Sequence, residues 1–182
     1  MRLYISTERC ELSPLNEKDF DEVMALYTNE EVMRYLGGVR SIETVINGLK
    51  KSLKFDNISN KLKKLLKFGF EYIFTLRKND TNAFIGLIFV SPHHNRFNTE
   101  VSFILLPKYW GNGYAFEGIK AVLDFCRGEL KLKRVVSETQ VANERSIKLL
   151  QRLGFVKLNE LERFGERQVV YEYKLKNKKE DE

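Results

Sequence analysis

The chain has 182 residues, 43% of them apolar and 31% charged, the size and balance of one soluble domain with a substantial core. Its formal net charge of +6 is mild. It holds no apolar run of about 18 residues that could span a membrane, and no basic-then-apolar leader. Cys10 and Cys126 stand alone without metal-ligand spacing, which argues against a disulfide framework and makes the cytoplasm the default compartment. The tail 176–182 has no apolar residue and is expected to be disordered, leaving 1–175 as a single domain.

Taken in order, Arg9 to Leu15 reads as a first strand, ended by Pro14 and Asn16, with Asn16 placed to cap the next helix. Phe20, Val23, Met24 and Tyr27 follow helical spacing and predict an inward stripe. Asn29 to Leu36 adds a short helical segment closed by Gly37-Gly38. Ser41 caps a longer helix with Ile42, Val45, Ile46, Leu49 and Leu53 inward. Asp56-Asn57 interrupts it, and Ile58, Leu62, Leu65 and Leu66 restart the period before Gly69. Seven lysines crowd this stretch: Lys50, Lys51, Lys54, Lys61, Lys63, Lys64 and Lys67. They form either a solvated face or a surface that steers an acidic partner.

Phe70 to Arg77 and Phe84 to Ser91 are β-rich runs joined by the turn residues 79–82. Pro92 to Asn98 is a polar loop. Its adjacent His93 and His94 have no third ligand at useful spacing, so no metal site is expected. Glu100 to Leu106 is a strand stopped by Pro107. Behind it Trp110-Gly111-Asn112-Gly113-Tyr114-Ala115 opens onto a helix marked by Ala115, Ile119, Val122 and Cys126. A helix start carries unpaired N–H groups and partial positive charge, and glycines let a phosphate approach the backbone. The loop is neither a dinucleotide GxGxxG nor a P-loop. Arg134 to Thr139 is another strand, and Asn143 to Leu153 a helix ending at Gly154. Phe155 to Leu161 and Val169 to Leu175 form an antiparallel pair around Gly165. The order predicts a mixed α/β sheet with helices on both faces.

PKYWGNGYAFEG and NERSIKLLQRLGF together resemble the GNAT superfamily of acetyl-CoA-dependent N-acetyltransferases, with a layout similar to the ribosomal-protein N-acetyltransferase (RimJ/RimL-like) group. The likeness is specific from Glu100 to Phe155. Ser102 stands where that group often has Gly, and Trp110 where many other members have Gln or Arg. The resemblance implies a GNAT fold: a mixed, mostly antiparallel sheet whose central strands splay apart to admit acetyl-CoA as co-substrate. It assigns the pyrophosphate to backbone groups of Gly111, Asn112, Gly113, Tyr114 and Ala115. The pantetheine arm falls to Ile104, Leu105 and Leu106, and Asn143 and Ser146 match its N-x-x-S.

Within that frame Glu100 is the candidate base, since the family often has Glu there, with Glu138 as its rival. Ser146 is the candidate acid for the leaving sulfur. Asn143 and Ser146 equally suit a plain helix start. Glu117 reads as structural, favoured by the helix dipole, and Tyr171 and Tyr173 as packing residues. The implied reaction is acetyl transfer to a primary amine, preferably a protein or peptide N-terminus. An α-amine, with a pKa of about 7.7–8.0, deprotonates far more readily than a lysine. A small-molecule amine, or a non-catalytic acyl-CoA-binding module, are the alternatives. Neither a membrane nor direct nucleic-acid contact is expected, and the chain is expected to be a monomer or homodimer.

Overall fold

The computed structural model describes residues 3–47 and 72–176. The strands are β1 (Ile5–Ser6), β2 (Cys10–Pro14), β3 (Tyr72–Lys78), β4 (Phe84–Pro92), β5 (Thr99–Leu105), β6 (Arg134–Gln140), β7 (Val156–Arg163) and β8 (Glu166–Lys174). The helices are α1 (Phe20–Tyr27), α2 (Glu30–Met33), α3 (Tyr114–Gly128) and α4 (Glu144–Leu153), and residues 42–47 are also helical. The lysine-rich stretch, the second half of the helix begun at Ser41 and the tail from 177 lie outside the described residues.

The strands form one sheet in the order β1-β2-β3-β4-β5-β6-β8-β7. Every neighbouring pair is antiparallel except β5 and β6, which run parallel. Their ladder has a single register pair, Glu100 with Val136. Beyond it the two strands part, and the sheet opens as a V.

β1 has no counterpart in the sequence expectation. Two residues carry no period, and β1 exists because Thr7 folds the chain back onto β2. The Thr7 N–H donates to the Cys10 carbonyl at 2.8 Å, and the Cys10 N–H donates back to the Thr7 hydroxyl oxygen at 3.0 Å. The last two strands also extend further than expected and meet at a two-residue turn, Phe164-Gly165, with both residues at positive φ.

Two apolar clusters lie on opposite faces. One joins Leu76, Ile88, Val101 and Leu105 to Ile119, Val122 and Cys126 of α3, and to Leu150 of α4. The other joins Phe84, Leu87 and Ile104 to Val23 and Leu26 of α1, Val32 and Met33 of α2, and Val45. Helices therefore cover both faces, as expected for this fold. Each fully buried aliphatic side chain contributes about 1.5–3 kcal/mol. Alternation along β5 sends Val101 and Leu105 to the α3 face and Glu100 and Ile104 to the α1 face.

The inward stripe of α1 differs from expectation. Val23 and Leu26 are fully buried, while Phe20 is 37% exposed. The inward place at this helix start is taken by Asp19, 2% exposed and bound to the Arg77 guanidinium at 2.7 Å. Arg77 also bonds Glu22 through both terminal nitrogens. Asn16 caps this region as expected, accepting the Lys18 N–H.

The β4–β5 pair carries the geometry of the V. The register of β3 on β4 slips at Leu76/Arg77, so Ile85 is an extra residue and β4 bulges. Gly86 sits against the next strand so closely that a Cβ there would lie 2.2 Å from the Ile104 carbonyl oxygen. No side chain fits between these two backbones.

Candidate active site

The glycine loop leaves β5 through a 3₁₀ turn, Pro107–Tyr109. Gly111 and Gly113 both take left-handed conformations, φ 76° and 83°. A Cβ on Gly111 would meet nothing within 4 Å, so the cradle is open. Gly113 is the N-cap of α3 and brings no capping side chain. The first-turn N–H groups of α3 thus have no side-chain acceptor, which suits an anionic phosphate.

The loop is pinned from a distant strand. The Glu117 carboxylate accepts the Thr7 hydroxyl at 2.6 Å, and the Arg9 N–H and Arg9 Nε at 2.7 Å each. The same Arg9 donates through a terminal nitrogen to the Asn112 carbonyl at 3.0 Å and lies over the Tyr114 ring. Burial alone would push the Glu117 carboxyl up. The hydrogen bonds from Thr7 and Arg9 outweigh it and hold the group below the usual carboxylate range. Glu117 is structural, as its position in the first turn suggests, but its partners come from β1–β2. Spacing could not reveal a contact 108 residues away.

At the V, the Leu106 N–H donates to the Ile85 carbonyl, and the Ile104 carbonyl faces Gly86. Both residues are thus engaged with β4. Alternation turns Leu105 the other way, into the opening. Its carbonyl accepts the Trp110 indole N–H at 2.8 Å. Trp110, in place of the family's frequent Gln or Arg, thereby ties the loop to the strand end, and Arg145 covers its ring. Of the three residues expected to hold a ligand arm, Leu105 presents its backbone to the gap.

On the same sheet face as α3, α4 packs against α3 and β6. Asn143 is its N-cap, with its side-chain oxygen accepting the Ser146 N–H at 3.3 Å. The capping role is therefore present, and Ser146 remains partly buried in the first turn.

The opposite face holds the carboxylates. Glu100 stands at the last β5–β6 pairing, and its carboxylate accepts the Glu138 backbone N–H at 3.3 Å. A side chain thus takes an N–H at the point where the ladder stops. Burial pushes the Glu100 carboxyl up, and the Glu138 charge adds to this. The opposing pulls of His93, the Glu138 N–H and Arg163 do not cancel it. Glu138 in turn meets His93 Nε2 at 2.6 Å and Arg163 at 3.5 Å. His93 and Glu138 are nearly sealed from solvent, with side chains 3% and 7% exposed. The two carboxylates expected as rivals are therefore neighbours in one cluster. His93 and Arg163 belong to it; the sequence weighed His93 only as a metal ligand and did not mark Arg163. A histidine beside a proline-started loop carries no periodic signal that would have placed it there.

A mixed, mostly antiparallel sheet opened into a V at its one parallel pair, with helices on both faces, is an α/β fold of the kind the sequence resemblance implied. The particular family comes from comparison: a family model described as "Acetyltransferase (GNAT) domain" matches residues 9–156, and the chain belongs to that family of acetyltransferases. The protein described as "Uncharacterized N-acetyltransferase YoaA" of Bacillus subtilis is 28% identical over 156 residues, 84% of this chain and 82% of the relative. A spermidine N-acetyltransferase from Vibrio cholerae, solved with CoA and spermine, superposes with a TM-score of 0.75 at 20% identity, covering 93% of this chain and 97% of that one. An acetyltransferase from Salmonella typhimurium that modifies the N-terminal serine of ribosomal protein L7/L12 gives 0.73 at 13% identity, covering 94% and 98%. At these identities the two structures show the shared fold alone. Among the described residues, no helix is long and apolar enough to cross a membrane.

Proposed function

We propose that this acetyltransferase moves an acetyl group from acetyl-CoA to a primary amine, and that the amine is the N-terminus of a protein or peptide. The observation that carries the reading is Glu100: a partly buried carboxyl with raised proton affinity, set where the sheet opens. A base of that kind is matched to an α-ammonium, whose pKa of about 7.7–8.0 lies far below that of a lysine. In the transfer the amine nitrogen bonds to the acetyl carbon, the carbon–sulfur bond breaks, the surplus amine proton goes to Glu100, and the thiolate takes a proton from Ser146 or water.

The chain's residues divide the work. Backbone N–H groups of Gly111 to Ala115, with the Asn112 and Tyr114 backbone among them, hold the pyrophosphate. Leu105 offers its backbone N–H to the arm in the gap. Asn143 orients the start of α4, and Ser146 beside it faces the leaving sulfur.

A second reading, a polyamine acceptor, is favoured by the paired carboxylates Glu100 and Glu138 on one face, which would attract a polycation. Thiol release from acetyl-CoA across a panel of N-terminal peptides, spermidine and free amino acids separates the two. Turnover of peptides with spermidine ignored supports the first reading. The reverse result moves the protein to the small-molecule class.

A further inference from the structure

Four ionisable side chains from four segments meet at the base of the V: His93 from the β4–β5 loop, Glu100 from β5, Glu138 from β6 and Arg163 from β7. Such a group is costly to bury and contributes little to the fold that apolar side chains would not. The loop that presents His93 is nonetheless built with care. The His93 N–H donates to the Asn98 carbonyl at 2.9 Å, and the Asn95 side-chain oxygen accepts the Phe97 and Asn98 N–H groups. The Asn95 N–H donates to His93 Nδ1 at 3.4 Å. The other ring nitrogen, Nε2, points at Glu138 at 2.6 Å, so a proton carried there is donated to that carboxylate.

After burial, the Glu138 charge also raises the proton affinity of Glu100, so a group that holds Glu138 as an anion bears on which of the two takes a proton. His93 and Arg163 both address Glu138. Glu100, by contrast, accepts the Glu138 backbone N–H. We propose that His93 is a positioning residue: by donating Nε2–H to Glu138 it holds that group as the anion of the pair, and leaves Glu100 as the member that accepts the proton of the acceptor amine. This rests on the reading of Glu100 as the base. The groups that face Glu100 are His93, Glu138 and Arg163, and burial and the Glu138 charge push its proton affinity up. His94 belongs to the same loop, with its ring edge-on to that of His93 at 6.0 Å and against Phe164 at 5.1 Å.

The test is the carboxyl-carbon NMR titration of Glu100 and Glu138 in the wild type, His93→Leu and His93→Gln, with kcat measured on the same samples. The proposal requires that in the wild type Glu138 lose its proton at lower pH than Glu100. In His93→Leu the Glu138 titration rises by about one pH unit, a tenfold change in proton affinity, and merges with that of Glu100. There kcat falls roughly tenfold while the KM for acetyl-CoA stays unchanged. Glutamine carries an amide nitrogen where the ring has Nε2, so His93→Gln keeps the titrations apart and kcat within about threefold of wild type. A folded His93→Leu with Glu138 unmoved overturns the proposal, as does a His93→Gln with merged titrations. Should His93→Leu fail to fold, His93→Gln alone decides. Glu100→Gln in the same series judges the base separately. Undiminished turnover there removes Glu100 from the chemistry, while the Glu138 titration still answers for His93.

Discussion

Glu117 and Glu100 are two glutamates on the two sides of one opening, and their surroundings push them in opposite directions. Glu117 accepts three hydrogen bonds from Thr7 and Arg9, and holds its proton less firmly than an ordinary glutamate. Glu100 is recorded with one backbone N–H and lies beside another carboxylate in a desolvated corner, so it binds its proton more firmly than usual. The loop side meets its carboxylate with charged and hydroxyl donors; the base of the V leaves Glu100 desolvated with a single backbone donor. Burial acts on both, and the number of donors aimed at the carboxylate decides which way each one goes.

The largest effect expected comes from putting a charge where the loop should be empty of one. Gly113→Asp puts a Cβ at a left-handed N-cap, 3.2 Å from an Arg9 terminal nitrogen, and adds a negative charge to the helix start that would receive the phosphate. Like-charge repulsion of several kcal/mol should weaken acetyl-CoA binding by roughly a thousandfold in calorimetry. Unchanged affinity would remove the loop from the binding site.

Next is Glu100→Gln, which should lower turnover about a hundredfold while leaving acetyl-CoA affinity intact. The wild-type kcat/KM should rise with pH on an acid limb above the ordinary Glu value of about 4.3, because the raised group must lose its proton to work. The variant should lack that limb. If Glu138→Gln abolishes activity and Glu100→Gln is silent, the two carboxylates exchange roles.

Arg9→Ala tests the other side. It removes the tie between Glu117 and the Asn112 carbonyl. A several-fold rise in the acetyl-CoA Kd with kcat little changed is expected, since the loop keeps its glycines and loses only its preorganisation. Ser146→Ala should be milder still, about two- to fivefold in kcat, because a thiolate with a pKa near 8.5 leaves without much help.

The opposite shifts also predict opposite stability profiles. The contribution of Glu117 is present above its unfolded value and is lost as pH falls through its depressed folded value. Glu117→Gln should therefore lower Tm near neutrality and flatten the acid side. Native Glu100 holds its proton more tightly than the unfolded chain does. Stability therefore declines as pH rises from the ordinary Glu value to the raised one, and Glu100→Gln should abolish that decline. Parallel changes in the two Tm profiles would contradict the contrast between the sites.

Local chemistry alone marked the glycine loop, the helix that follows it, the N-cap at Asn143 and the strand from Glu100. Each of these depends on residues within one turn or one strand of each other, which is the range over which spacing and capping act. The family resemblance in two adjoining motifs carried the reading on to an acetyltransferase, and the matched family agrees. What the sequence could not contain was the company these residues keep. Glu117 is set by Arg9, and Glu138 by His93 and Arg163, across 108, 45 and 25 residues, respectively. The single β5–β6 pairing and the bulge at Ile85 likewise arise from strand order and register. Pairing between distant segments has no period along the chain, so only the folded sheet decided which donors and charges each carboxylate meets.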